Sequence, residues 1–186
     1  MNNCYLDAEA VITFFRMTGR KHIFITGSRG SGKSHLVNNM LKYMSDSFNL
    51  LQSHRTDTPQ VVIKSNLVAD NKEFVIGVPR TSGINPASKG NNMTIIEDGF
   101  INCAIPAIDT HLDTTPERLF VIDELGYLES SCIPFQKAVE KLLDNSHVLA
   151  VIRKQSTEFL NRICNRKDVL VIDIDNTFET LSCIIM

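Results

Sequence analysis

The chain has 186 residues, 43% of them hydrophobic, which is enough to bury one sizeable core in one domain. A net charge of -2 and a pI of about 6.2 give it no bulk attraction to nucleic acid or to a membrane surface. No apolar run is long enough to span a bilayer and no signal-peptide pattern opens the sequence. Five scattered cysteines, Cys4, Cys103, Cys132, Cys164 and Cys183, read as reduced thiols of a cytoplasmic protein, not as a zinc site or disulfide frame.

The chain opens on a candidate helix. Asp7 can cap it, Ala10, Val11, Phe14, Phe15 and Met17 would form its apolar face, and Gly19 stops it. Its polar face is not strongly basic, so packing on the sheet edge is favoured over binding a membrane surface or a partner. Residues 22–26 read as a buried strand and residues 35–44 as a helix, with Leu36, Val37, Met40, Leu41 and Met44 at helical spacing.

Between them lies the stretch that organises the chain: Gly27, Ser28, Arg29, Gly30, Ser31, Gly32, Lys33, Ser34. Glycine, four residues, then Gly-Lys-Ser between a strand and a helix is a phosphate cradle. The glycines let the backbone curl so that successive N–H groups point inward at anionic oxygens. The helix N-terminus adds unpaired donors and partial positive charge. Lys33 reaches the β- and γ-phosphates, and the Ser34 hydroxyl ligates Mg²⁺. His35, the next residue, completes the expected nucleotide-binding set. Arg29 occupies a variable position of the pattern and is expected to be solvated.

Strands follow at residues 48–52, 60–64 and 73–78. The last two flank a turn-rich centre at Asp70-Asn71-Lys72, which predicts an antiparallel hairpin added to a parallel sheet. Residues 80–92 collect Gly83, Pro86 and Gly90 and read as an exposed loop, with a lid over substrate as the alternative. Residues 93–97 form a short strand. Residues 100–112 form a helix that Pro106 should kink or start.

From Leu119 the order is strand, helix, strand, helix, strand: residues 119–122, 135–144, 148–152, 157–165 and 169–172, then a short terminal helix from Phe178. Continuous apolar strands separated by helices predict a parallel sheet covered on both faces. Such a sheet carries its working residues at the carboxyl ends of its strands. Asp123 ends one apolar run, the form of the second phosphate-loop motif, and its carboxylate would hold Mg²⁺ together with Ser34. Glu124 beside it can take a proton from an attacking water; a capping or salt-bridged carboxylate is the bland alternative. Arg153 and Lys154 end the next strand, where they either sense the γ-phosphate or form a solvated pair. Arg162, Arg166 and Lys167 make a late basic cluster, read as a solvated helix end with an arginine finger as the alternative. Asp175 and Asn176 follow the last strand, near where a base would lie.

These residues together resemble the small nucleoside-triphosphatases first described from thermophiles, a family with a human cancer-related member. The likeness rests on Ile23-Phe24-Ile25-Thr26-Gly27 entering the phosphate loop, and on Val121-Ile122-Asp123-Glu124-Leu125-Gly126-Tyr127-Leu128-Glu129, close to the family signature Asp-Glu-Ile-Gly-x-Met-Glu. Phe135 with Ala138-Val139, Glu97-Asp98-Gly99-Phe100 with Ile105-Pro106-Ala107, and Asn165-Arg166-Lys167-Asp168-Val169 extend it over most of the chain from Lys21. The resemblance implies a P-loop NTPase with a RecA-like α/β core and an additional catalytic glutamate. It implies slow Mg²⁺-dependent hydrolysis of ATP, GTP and other nucleoside triphosphates to diphosphates. Lys33 and Ser34 would bind phosphate and metal, Asp123 would hold the metal, and Glu124 would be the base. Glu129 matches the last acidic residue of the signature, for which a structural salt bridge is one explanation. About twenty residues precede the first strand, unlike most of the family, and residues 67–92 follow its Gly/Arg-rich hairpin only loosely.

The expected architecture is thus one domain over residues 1–186. It is a mostly parallel sheet with helices on both faces, a helical extension at residues 1–20 and a hairpin and loop insertion at about residues 60–97. Two other function classes compete. Asp123-Glu124-Leu125-Gly126-Tyr127 also resembles helicase-loader and transposition-helper ATPases, but no helical lid follows the core and the acidic pI argues against nucleic acid as a partner. A nucleotide or nucleoside kinase would lack a use for Glu124 and would carry an arginine-rich lid. Monomer and homo-oligomer are both left open.

Overall fold

The computed structural model describes residues 7–44, 47–80 and 93–176. Residues 81–92 of the expected loop at residues 80–92, the terminal helix from Phe178, Cys4 and Cys183 lie outside the described residues. The strands are β1 (His22–Gly27), β2 (Phe48–Arg55), β3 (Val61–Ser65), β4 (Phe74–Pro79), β5 (Met93–Ile95), β6 (Leu119–Leu125), β7 (His147–Arg153) and β8 (Val169–Asp173). They form one sheet in the order β5-β4-β3-β2-β6-β7-β1-β8. The ladder from β2 through β6, β7 and β1 to β8 is parallel, and β2-β3-β4-β5 is antiparallel. The expected hairpin is therefore present, and it extends the sheet at one edge.

Strand side chains alternate between faces, and the core divides accordingly. Phe24, Phe120, Ile122, Ala150 and Ile152 point to one face. There they meet α4 (Ile105–Thr114), α5 (Ile133–Asn145) and α6 (Glu158–Cys164), from which Ile108, Phe135, Leu142 and Leu160 are buried. Ile23, Ile25, Val121, Leu149 and Val151 point to the other, under α1 (Ala8–Thr18) and α2 (Lys33–Met44). A strand apolar at every position is the signature of burial on both sides.

Asp7 caps α1 by accepting from the Glu9 and Ala10 amides, and Gly19 at φ 65° closes it, as the sequence indicates. Of the expected face, Val11 is buried and Phe14 and Phe15 pack half-buried on the core, joined by Ala8 and Ile12, while Met17 is 73% exposed. Residues 8, 11, 12 and 15 follow helical spacing, and α1 packs against α2. The helix expected at residues 100–112 starts earlier. Glu97–Gly99 (α3) runs into a π-helical segment, Phe100–Ala104, and then into α4. Pro106 sits in the first turn of α4, where a missing N–H costs least, so it starts a helical segment and does not break one. Cys103 and Cys132 are buried and Cys164 half-buried; all three are free thiols whose pKa burial pushes up.

His22 opens β1 and is fully buried. Among the described residues neither ring nitrogen finds a hydrogen-bond partner, and Nε2 stands 3.4 Å from Asp168 Oδ2 without bonding alignment. Burial outweighs that carboxylate and pushes the imidazole down from 6.5 to about 4. The fold favours the neutral ring, so this contribution to stability is complete above pH 6.5 and is lost as pH falls toward 4. Denaturant unfolding between those pH values should show a steeper loss of stability in the wild type than in His22→Gln; equal slopes would contradict this.

Gly99 carries α3 directly over β4. A Cβ there would stand 2.3 Å from the Val75 carbonyl oxygen and 2.7 Å from Ile76 Cγ2. Backbone cannot yield as a side-chain end can, so Gly99→Ala should destabilise the fold by about 1–3 kcal/mol in denaturant unfolding. An unchanged midpoint would show that α3 shifts freely.

Candidate functional site

β1 runs straight into the glycine-rich loop, and α2 begins at Lys33. Gly30 at φ 76° and Gly32 at φ 91° take conformations open to few other residues, which curls the loop. Lys33 Nζ lies back across it, donating to the carbonyl oxygens of Gly27 at 3.0 Å and Ser28 at 2.7 Å. The Ser31 hydroxyl donates to the Ser28 carbonyl at 2.7 Å, so this side chain braces the loop from within.

Ser34, at the start of α2, and Gln52 on β2 stand beside the Asp123 carboxylate on β6 and favour its charged form. Gln52 and Asp123 are register partners across the β2–β6 ladder. Burial and then the neighbouring Glu124 raise the Asp123 pKa, against these two neighbours and the Lys33 charge. The β6–β7 register shifts between Asp123 and Leu125, leaving Glu124 out of the ladder. Such an irregularity re-aims a side chain, and here it turns Glu124 to the cleft beside the phosphate loop.

Glu124 does not stand alone. Arg153 at the end of β7 holds it with two nitrogens, Nε at 2.6 Å and Nη2. Lys154 is held elsewhere, donating to Asp173 at 2.8 Å and Asp175 at 3.1 Å. Asp175 in turn accepts from the Ser28 amide at 2.7 Å and the Ser28 hydroxyl at 2.9 Å. Lys154, first of several donors, holds the Asp175 carboxyl below the usual range. The turn after β8 is therefore the anchor of the first residues of the phosphate loop.

A cleft of about 760 Å³ joins these groups. Gly27, Ser28, Arg29, Gly30, Gly32, Lys33, Ser34 and His35 line one wall, and Arg55, Glu124, Arg153 and Lys154 the other. Of the expected nucleotide-binding residues Ser31 alone does not line it. A smaller chamber of about 130 Å³ adjoins it at Arg55, Glu124 and Arg153 and runs on to Ser53, Tyr127 and Glu129.

Glu129 corrects an expectation. Its buried carboxylate takes neutral donors, the Gly126 amide at 3.0 Å and the Ser53 hydroxyl at 3.3 Å, and not a salt bridge. Burial pushes its pKa up to about 7. Arg162 and Arg166 also depart from the finger alternative. Arg162 pairs with Glu140 and Glu158, Arg166 with Asp144 and Asp168, and neither lines the cleft. Arg55 went unnoticed because the expected strand ended at Gln52; the β2 strand runs three residues further and carries this cation to the cleft.

Ser34 and Asp123 offer two oxygens to a divalent cation, and no cluster of three or more His, Cys, Asp or Glu residues among the described residues could cage one. That donor set fits Mg²⁺, which takes one or two protein oxygens and completes its shell with phosphate and water.

The family model described as NTPase matches residues 22–181. The nucleoside-triphosphatase THEP1 of Thermotoga sp. strain RQ2 is 26% identical over 155 residues, 82% of this chain and 86% of that protein. The THEP1 of Thermotoga maritima is 23% identical over 154 residues, with 82% and 86% covered. Among solved structures, THEP1 from Aquifex aeolicus superposes with a TM-score of 0.65 at 18% identity, covering 88% of this chain and 96% of its own. A human cancer-related nucleoside triphosphatase does so at 0.62 and 20%, covering 89% and 95%. At these identities the structural likeness establishes the fold, a mostly parallel α/β sheet of the P-loop NTPase kind. The family match itself runs from the first residue of β1 past the Asp175 turn, taking in the glycine-rich loop, Asp123, Glu124 and Arg153, and the chain belongs to the NTPase family.

Proposed function

We propose that this chain hydrolyses nucleoside triphosphates such as ATP and GTP to the diphosphate and orthophosphate, with Mg²⁺ as cofactor and Glu124 as the general base. One observation carries the reading. Glu124, at the end of β6, opens on the same cleft as Lys33 and Ser34 of the phosphate loop. The names of the relatives, which the chain matches over most of their length, point the same way.

Each residue then has a role. Loop amides and the N-terminus of α2 bind the phosphate oxygens. Lys33 exchanges the Gly27 and Ser28 carbonyls for β- and γ-oxygens. Ser34 and Asp123 would hold Mg²⁺, which supplies charge neutralisation at the β- and γ-oxygens when bound. The water oxygen bonds to the γ-phosphorus, the bond to the β–γ bridging oxygen breaks with its electrons leaving on the diphosphate, and Glu124 accepts the proton of the water. Two guanidinium nitrogens of Arg153 occupy the Glu124 carboxylate. A γ-phosphate that draws Arg153 away would free the carboxylate where it is needed, which is the catalytic role we give Arg153.

No helix among the described residues is long and apolar enough to cross a membrane. Together with the free, mostly buried thiols, this supports a cytoplasmic setting. A basic face for DNA is not among the supporting observations, and Glu124 favours water over a small-molecule acceptor.

Glu124→Gln keeps the shape and loses the base. Orthophosphate release should fall by about a hundredfold or more while nucleotide affinity stays within about threefold, measured by phosphate release and by titration with a fluorescent nucleotide. Turnover near the wild-type rate would remove Glu124 from this role.

A further inference from the structure

We propose that Arg55, at the end of β2, places a cation on the γ-phosphoryl group as its bond to the diphosphate breaks, acting within the same chain. The claim rests on the hydrolytic reading of the cleft.

The direction of the bound triphosphate follows from where the two ends of the loop lie. Ser28 is tied to Asp175 beyond β8, and Ser34 stands beside Asp123 on β6. In sheet order β8 and β6 stand on opposite sides of the β1–β7 pair. The Lys33–Ser34 end takes the β- and γ-phosphates, so the γ-phosphate lies toward β6 and the nucleoside toward β8. β2 is the next strand beyond β6, and Arg55 lies three residues past Gln52, the register partner of Asp123. That carries Arg55 beyond Asp123 toward the open end of the sheet, where it lines the same cleft as Lys33 and Ser34.

Arg55 is also mounted firmly. Its backbone pairs with Val61 in the β2–β3 ladder, and the Thr56 amide closes the hairpin onto the Gln60 carbonyl at 3.1 Å. Its side chain lines both the main cleft and the adjoining chamber, at the junction they share with Glu124 and Arg153.

Charge and position together single it out. Arg29 also lines the cleft and makes no ion pair among the described residues, but it sits on the loop beside Ser28, at the end that lies toward the nucleoside. Lys154 is spent on Asp173 and Asp175, and Arg153 on Glu124. Arg162 and Arg166 are engaged away from the cleft. Arg55 makes no ion pair among the described residues, so it can approach phosphate without breaking a contact first. Charge spreads over the γ-oxygens as the bond to the diphosphate loosens, and a planar guanidinium matches that geometry.

The test compares Arg55→Ala, Arg55→Lys and Glu124→Gln with the wild type in steady-state orthophosphate release. Binding of the nucleoside diphosphate–aluminium fluoride complex, a mimic of the transferring phosphoryl group, is measured alongside. Arg55→Ala should lose about a hundredfold or more in kcat with KM within about threefold, and should no longer bind the mimic tightly. Added guanidinium should restore part of the rate, and Arg55→Lys should recover less than about a tenth of it, because an ammonium lacks the planar fork. Thermal unfolding near the wild-type temperature is expected, since the side chain is exposed at a strand end. Wild-type kcat in Arg55→Ala beside an inactive Glu124→Gln would overturn the proposal and leave the hydrolytic reading standing. A raised KM with unchanged kcat would overturn it too, making Arg55 a ground-state binding residue. Full turnover in Glu124→Gln would instead overturn the reading on which the proposal rests.

Discussion

The approach of Ser34 to Asp123 is the contact on which the rest of the site depends. It sets the N-terminus of α2 beside a strand two places from β1 in the sheet, across β7. The glycine-rich loop alone would be an anion cradle. With the end of β6 beside it, the cradle and Glu124 face one cleft. The same contact gives a divalent cation two oxygen ligands from different elements, so metal and phosphate would be bound as a unit. Its counterpart is the Ser28–Asp175 pair, which fixes the other end of the loop and takes Lys154 out of the pool of free cations.

This arrangement is affordable because the strands beneath it are rigid. β1, β6 and β7 are buried on both faces, so their ends do not move independently. The polar groups of the site stand where those strands leave the core. There burial is still deep enough to raise the pKa of Asp123 and Glu129, while the opening admits a ligand. The register shift at Glu124 is the one irregularity in the β6–β7 ladder, and it falls at the residue to which we give the proton.

Much of this was legible in the sequence, for a physical reason. The phosphate loop and the apolar strands are local signals: glycine at positive φ, and runs of apolar residues ending in charge. Asp123 beside Glu124 followed from its place at such an end. What was hidden depends on contacts between distant segments. The extension of β2 beyond Gln52 is invisible in Ser53, His54 and Arg55, which are polar, and comes from the ladder to β3. The anchoring role of Asp175 depends on its bonds to Ser28, 147 residues away. The donors of Glu129 are a backbone amide and a serine from another strand, which no local pattern announces. Met17 is apolar like the packed side of α1, and only the position of α2 leaves it exposed.

The central claim is that loop and β6 carboxylate form one metal–phosphate site, and its most direct test is the coupling between Mg²⁺ and nucleotide. Calorimetric titration of a non-hydrolysable triphosphate, with and without Mg²⁺, measures it for the wild type and for Asp123→Asn. The account predicts that Mg²⁺ strengthens wild-type binding by about tenfold or more and that the increment vanishes in the variant. An equal Mg²⁺ increment in both proteins would contradict it.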